Sequence, residues 1–251
     1  MRKNSFLGMT KITIHSAFIS VSCALILWLV HAIICIRTDN SYTGKFSVII
    51  MLISGLLMCK KHMGLCASVN AASHRRFFSM VFLGFVLAAI FAFSDTFIVT
   101  ECFSDQSSWQ LDSLFESLYY SDNFYPVTLF NVFGIKLLIK ITIFYHTLFI
   151  LGYITYYITV SKPSLIVIFL SASILSSLCM LLFDKIETVL VVQSLFLILI
   201  SPAVIPIAIF SILNETGGIF YIMLLYAIFL LQCMILSLYI KPKIKREKIN
   251  G

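Results

Sequence analysis

Apolar residues fall in long runs separated by short polar breaks: 12–36, 46–59, 77–100, 141–160, 164–183, 188–213 and 219–240. Most of these runs reach the roughly 20 residues that carry a helix across a ~30 Å hydrocarbon core. The pattern predicts an all-α fold, a polytopic membrane helix bundle forming one domain over residues 1–251, with no soluble domain of useful size. It counts six transmembrane helices, or seven if the doubtful run 46–59 also crosses. That run has 14 residues before Lys60-Lys61-His62, so it reads as re-entrant, interfacial, or extended through Val69 by snorkelling lysines. Run 12–36 follows Arg2, Lys3 and Lys11 like a signal peptide, but it is too long and lacks a small-residue cleavage site, which makes it a membrane anchor.

The uncharged, largely apolar run 188–213 contains an anomaly, Pro202 and Pro206, four residues apart. Each proline removes a backbone donor and clashes with the carbonyl four residues back, at a cost of about 3 kcal/mol in a helix interior. At this spacing both lie on one face, and the carbonyls they free must be satisfied by neighbouring helices, hydroxyl side chains or water. The spacing predicts a bent, bundle-buried helix defined by Pro202, Ile205, Pro206 and Phe210.

Composition agrees with the pattern: 60% of residues are hydrophobic and 12% charged, against about 25% charged in globular domains, and mean hydropathy is +1.02. Net charge is +7, and its location argues against a nucleic-acid partner. Lys241, Lys243, Lys245, Arg246 and Lys248 form a basic tail over 241–251, of the kind that marks the cytoplasmic side and meets anionic membrane lipids. Counting crossings back from that tail puts residues 101–140 on the cytoplasmic side and strands Arg75 and Arg76 outside. The reverse orientation rescues those two but misplaces the tail, Lys136 and Lys140, so the first satisfies more charges. The seven cysteines show no CxxC pairing and read as small buried hydrophobes.

Six of the eleven acids (Asp95, Glu101, Asp105, Asp112, Glu116, Asp122) cluster in one stretch, and no Lys or Arg occurs between Arg76 and Lys136. Within it Leu111, Leu114, Phe115 and Leu118 recur at helical spacing with Asp112 and Glu116 opposite, which predicts a short amphipathic helix. Acids are repelled by anionic head groups, so a protein partner with a basic rim suits it better than the bilayer surface. Residues 124–140 are expected to run along the interface before a span that starts near Ile141. No nucleophile, metal-ligand set or substrate pocket accompanies the paired carboxylates, and the chain does not read as an enzyme. His31 and His146 lie in or beside apolar runs and are expected to make helix–helix hydrogen bonds. No GxxxxGK[ST] phosphate loop occurs, so any ATP hydrolysis belongs to another chain.

Taken together, the proline run and the acidic stretch resemble the CcmB family, the membrane subunit of the haem exporter-type ABC transporter of cytochrome c maturation. The family's penultimate span carries a pattern like LPLxIPLLIF, and here the residues from Ser201 to Phe210 read SPAVIPIAIF. Cys102-Phe103-Ser104-Asp105 and Gln110-Leu111-Asp112-Ser113-Leu114 are similar to the two ends of its LFRxDxxDGSLEQL segment, although Ser104 replaces the arginine and the Asp-Gly pair is missing. The resemblance covers about residues 90–240; residues 1–76 diverge and have room for an added span. It implies an ABC-2 permease-like fold and an ATP-binding subunit as partner. It also implies other cytochrome c maturation membrane proteins as partners, in a bacterial inner (plasma) or mitochondrial inner membrane. It assigns ATPase coupling to Phe103, Asp105, Leu111, Asp112, Leu114, Phe115 and Glu116, on the cytoplasmic side. Haem is implied as handled cargo and not as a directly bound cofactor, because only Trp28 and Trp109 exist where a sister family has a tryptophan-rich loop. The competing readings are an ABC-2 permease exporting another substrate, such as a lipid or peptide, and a non-transporting membrane subunit of a respiratory or translocase complex.

Overall fold

The computed structural model describes residues 43–68, 72–95, 132–161, 204–213 and 218–239, together with positions 14, 18, 22, 25–30, 33, 163–164 and 202. Every regular element among them is helical: α1 (Thr43–Ser68), α2 (Ser73–Phe93), α3 (Val132–Ser161), α4 (Val204–Ile212) and α5 (Ile219–Tyr239). Three stretches, Arg75–Phe93, Ile135–Ser161 and Ile219–Tyr239, are long and apolar enough to cross a membrane, and Ser47–Cys59 forms a shorter apolar helix. The expected spans at 12–36 and 164–183 lie largely outside the described residues.

Helix α3 is the hub and packs against each of the other four. It is apolar around its whole circumference, so every face needs a neighbour, and residues 140–150 are buried without a break. Helix α5 is the opposite case. It turns a stripe of Ile222, Phe229, Cys233 and Ser237 inward and leaves Phe220, Met223, Leu231 and Ile235 exposed, as a lipid-facing helix would.

In lipid the outside of a helix is already solvated by hydrocarbon, so apolar burial adds little and close packing decides which helices associate. The α1–α3 crossing is built on that rule. A Cβ at Gly55 would stand 2.0 Å from the Phe149 carbonyl oxygen, and one at Gly152 would stand 2.2 Å from that of Leu52. The two backbones therefore touch through the missing side chains. Phe149 then turns its ring over Gly84 of α2, where a Cβ would meet the ring at 2.3 Å. One aromatic side chain thus ties three helices together.

Side-chain contacts fix the direction of each helix. At one end Trp28, Ser47, Asp95 and Tyr145 meet, with Lys140 beside Leu213 and Phe144 beside Phe210. At the other end His62 reaches Ser79 and Tyr153, Arg76 acts on His62 and Tyr157, and Tyr157 bonds Ser237. Helices α1, α3 and α5 therefore run in the same direction and α2 runs against them.

Of the alternatives for run 46–59, the structure shows the extended one: α1 is continuous through Lys60-Lys61-His62 to Ser68. At 26 residues it is long enough to span, about 39 Å at 1.5 Å per residue. Helix α3 starts at Val132, not near Ile141, and absorbs Lys136 and Lys140, so this part of 124–140 does not run along the interface as a separate segment. The burial of Lys140 explains the difference, since a lysine with a backbone acceptor inside the bundle does not mark a membrane boundary. Finally, the two expected crossings between α3 and α5 would leave those helices antiparallel, and they are parallel. The chain between Ser161 and Ile219 therefore traverses the bundle an odd number of times.

That parity also corrects the sidedness expectation. Helix α2 leaves and α3 returns at the Asp95 end, whereas α5 finishes at the Arg76 end, from which the basic tail departs. Arg75 and Arg76 share an end with the C-terminus of α5, and the C-terminus of α2 and the N-terminus of α3 share the opposite end.

Candidate functional site

Polar side chains are scarce inside this bundle, and several of the buried ones among the described residues make specific contacts between helices. The Asp95 cluster joins the most segments. The carboxylate follows α2 directly, at a π turn formed by Ser94 and Asp95. Tyr145 of α3 donates its hydroxyl to Oδ2 at 2.5 Å. The indole N–H of Trp28 is shared between Asp95 Oδ1 and Ser47 Oγ of α1, each at 3.1 Å, and the indole stands edge-on to Phe91. A buried carboxyl is tolerated only with such partners, and here they come from four stretches of chain. The cluster is thus a clamp that fixes how the N-terminal segment, α1, α2 and α3 meet.

Lys140 anchors the proline segment. Its ammonium donates to the Leu213 carbonyl at 3.1 Å, just past the C-terminus of α4, where the helix leaves acceptors unpaired and its dipole favours a cation. Phe144, one turn along α3, packs its ring against Phe210 at 5.6 Å. Helix α4 is only nine residues, about 14 Å long. Pro206 falls in its first turn and Pro202 in the turn before it. The first N–H groups of a helix have no intrahelical acceptor, so prolines there remove nothing the helix uses. The structure thus places these prolines at a helix start, not at a bend within α4. Pro202, Ile205 and Pro206 are buried, and Phe210 is partly exposed.

At the Arg76 end His62 is buried beside Ser79. The Ser79 hydroxyl proton is committed to the Arg76 carbonyl at 2.9 Å, so the 3.2 Å contact needs His62 Nε2 as the donor to Ser79 Oγ.

The remaining histidine opens onto space. His146 of α3 bonds Tyr226 of α5 through Nδ1 at 2.5 Å, the helix–helix bond expected of it. His31 lies outside the described residues. Phe85 stands edge-on to the His146 ring at 5.6 Å. These side chains, with Phe78, Val81 and Phe82, line a cavity of about 320 Å³ between α2, α3 and α5.

Among the described residues no three His, Cys, Asp or Glu side chains come together as a metal site. Cys59 and Cys233 are buried and form no disulfide. The acidic-stretch residues Phe103, Asp105, Leu111, Asp112, Leu114, Phe115 and Glu116 lie outside the described residues. Sequence reasoning grouped Asp95 with the water-facing acids, although its place within the apolar run 77–100 was the signal that it is internal. It took Lys140 for an interfacial lysine, and no local pattern marks its acceptor 73 residues away.

No family model, curated protein or solved structure matches this chain. The fold and its buried contacts therefore define the class to which it belongs: an all-helical bundle with three helices able to cross a membrane, compatible with a membrane protein.

Proposed function

We propose that this chain is a polytopic membrane subunit that serves as the permease of a transporter whose ATP-binding subunit is a separate chain. Its site of action is cytochrome c maturation, with haem or a haem-loaded carrier as cargo. The single observation that carries the reading is the segment SPAVIPIAIF, which resembles the proline span of the CcmB family and here includes a half-length helix seated on the hub. Lys140 and Phe144 of α3 hold the C-terminal half of α4, α5 packs along it, and it takes no part in the α1–α3 crossing.

In this proposal six crossings arise from residues 12–36, α1, α2, α3, residues 164–183 and α5, while the segment containing α4 enters the membrane and returns. That arrangement satisfies the odd traverse between α3 and α5. It gathers Arg2, Lys3, Lys11, Lys60, Lys61, Arg75, Arg76 and the tail at one end, which the positive-inside rule turns to the cytoplasm in a bacterial inner or mitochondrial inner membrane. Contact with the ATP-binding subunit then falls to the α1–α2 connection and the tail. The acidic segment from Phe103 to Glu116, for which the resemblance implies coupling, faces the other way.

A non-transporting membrane subunit of a respiratory or translocase complex is the second reading, favoured by that separation of acidic segment and basic end. Purification in mild detergent decides between them. An ATPase that co-purifies, and remains bound after deletion of residues 110–118, supports the permease in this orientation. No ATPase supports the second reading. Loss of covalent cytochrome c in a knockout separates the proposed pathway from an exporter of another substrate.

A further inference from the structure

The geometry points to a binding site for a membrane-soluble quinone, a planar ring with carbonyl acceptors and an isoprenoid tail, in the cavity between α2, α3 and α5. At about 320 Å³ it falls at the small end of the ~300–1,000 Å³ typical of ligand sites, suited to one substituted ring. Its wall is almost wholly aromatic. Phe78, Phe82 and Phe85 recur on one face of α2 and are each about half exposed, so the cavity opens sideways toward lipid and not toward either end of the bundle. A ring entering there meets aromatic edges and faces, and a hydrocarbon tail can trail into the bilayer.

The second observation is polar. His146 is fully buried, and its Nε2 has no hydrogen-bond partner, although such groups are normally satisfied. The Val81 carbonyl bears on the imidazole, yet at a geometry that leaves Nε2 unbonded. In the tautomer in which Nδ1 accepts the Tyr226 hydroxyl proton, Nε2 carries the ring proton and is a donor for an incoming acceptor. A carbonyl oxygen supplies that acceptor, whereas an acyl chain does not. Phe85 is edge-on to the imidazole, half-exposed, and lines the cavity with it. The inference concerns binding only and is independent of whether an ATPase partners the chain.

The test uses the full chain in detergent, titrated with decylubiquinone labelled with 13C at its carbonyls, with decylbenzene as the tail-only control. Saturable binding is expected, with one carbonyl stretch moved to lower frequency by the Nε2 donor. His146→Phe should abolish that shift and weaken binding by about tenfold, as loss of one hydrogen bond predicts. Val81→Phe, which narrows the cavity and keeps the imidazole in place, should weaken binding too, and Phe85→Ala should preserve or tighten it. An unshifted carbonyl in the unmodified protein overturns the proposal without recourse to any variant. So does decylbenzene binding as tightly as the quinone, which would mean that the cavity holds an acyl chain only.

Discussion

Replacing Gly55 with alanine puts a methyl group where α1 and α3 share their backbones. The new Cβ would sit 2.0 Å from the Phe149 oxygen and 2.9 Å from the Tyr153 nitrogen, against the 3.4 Å at which such atoms ordinarily touch. The obstacle is main chain on the hub helix, with no flexible side chain to yield, so the helices must part by more than an ångström. Overpacking of this kind costs about 1–3 kcal/mol. Gly152→Ala strikes the same contact from the other side, at 2.2 Å from the Leu52 oxygen, and should cost a similar amount. The double variant is the sharper test. Once one methyl has separated the helices, the second finds the gap already open, and the combined loss should fall short of additivity by about 1 kcal/mol or more. Reversible unfolding in mixed micelles, followed by helical circular dichroism, measures all three. Two neutral single variants, or strictly additive losses, would refute the crossing.

Other contacts give separate tests. Asp95→Ala leaves Tyr145 as a buried donor without its acceptor and Trp28 with Ser47 alone, and should cost about 2–4 kcal/mol in the same unfolding assay, while Asp95→Asn, which keeps an acceptor, should cost clearly less. Lys140→Met removes the donor to Leu213; amide exchange over α4 should speed up about tenfold while α1 and α3 stay protected, and uniform loss of protection would contradict the anchoring role.

The sequence states the helical class through the length of its apolar runs, and α2 and α5 follow those runs closely at their starts. It is ambiguous or misleading wherever a polar residue is internal. Lys60 and Lys61 admit either the end of a span or its extension, and α1 continues past them because lysine is a good helix former and its stem can reach the interface. Lys140 and Asp95 look like boundary charges, but partners distant in the sequence make their burial tolerable. Gly55 and Gly152 carry no sequence mark, since a glycine in a membrane helix signals close approach only once its facing backbone is known. The proline pair was visible from the outset, but its role was not. Whether two prolines bend a helix or begin one depends on where the helix starts, and a continuous apolar run conceals that point.

Sidedness follows from helix direction, and the account stands or falls on it. Epitopes placed after Ser108 and after Gly251 in the full chain, probed by protease protection in membrane vesicles of one orientation, read it directly. The account predicts that the two epitopes lie on opposite faces of the membrane, with the C-terminal one cytoplasmic. Both epitopes on the same face would contradict the parallel course of α3 and α5, and with it the proposed six-crossing arrangement.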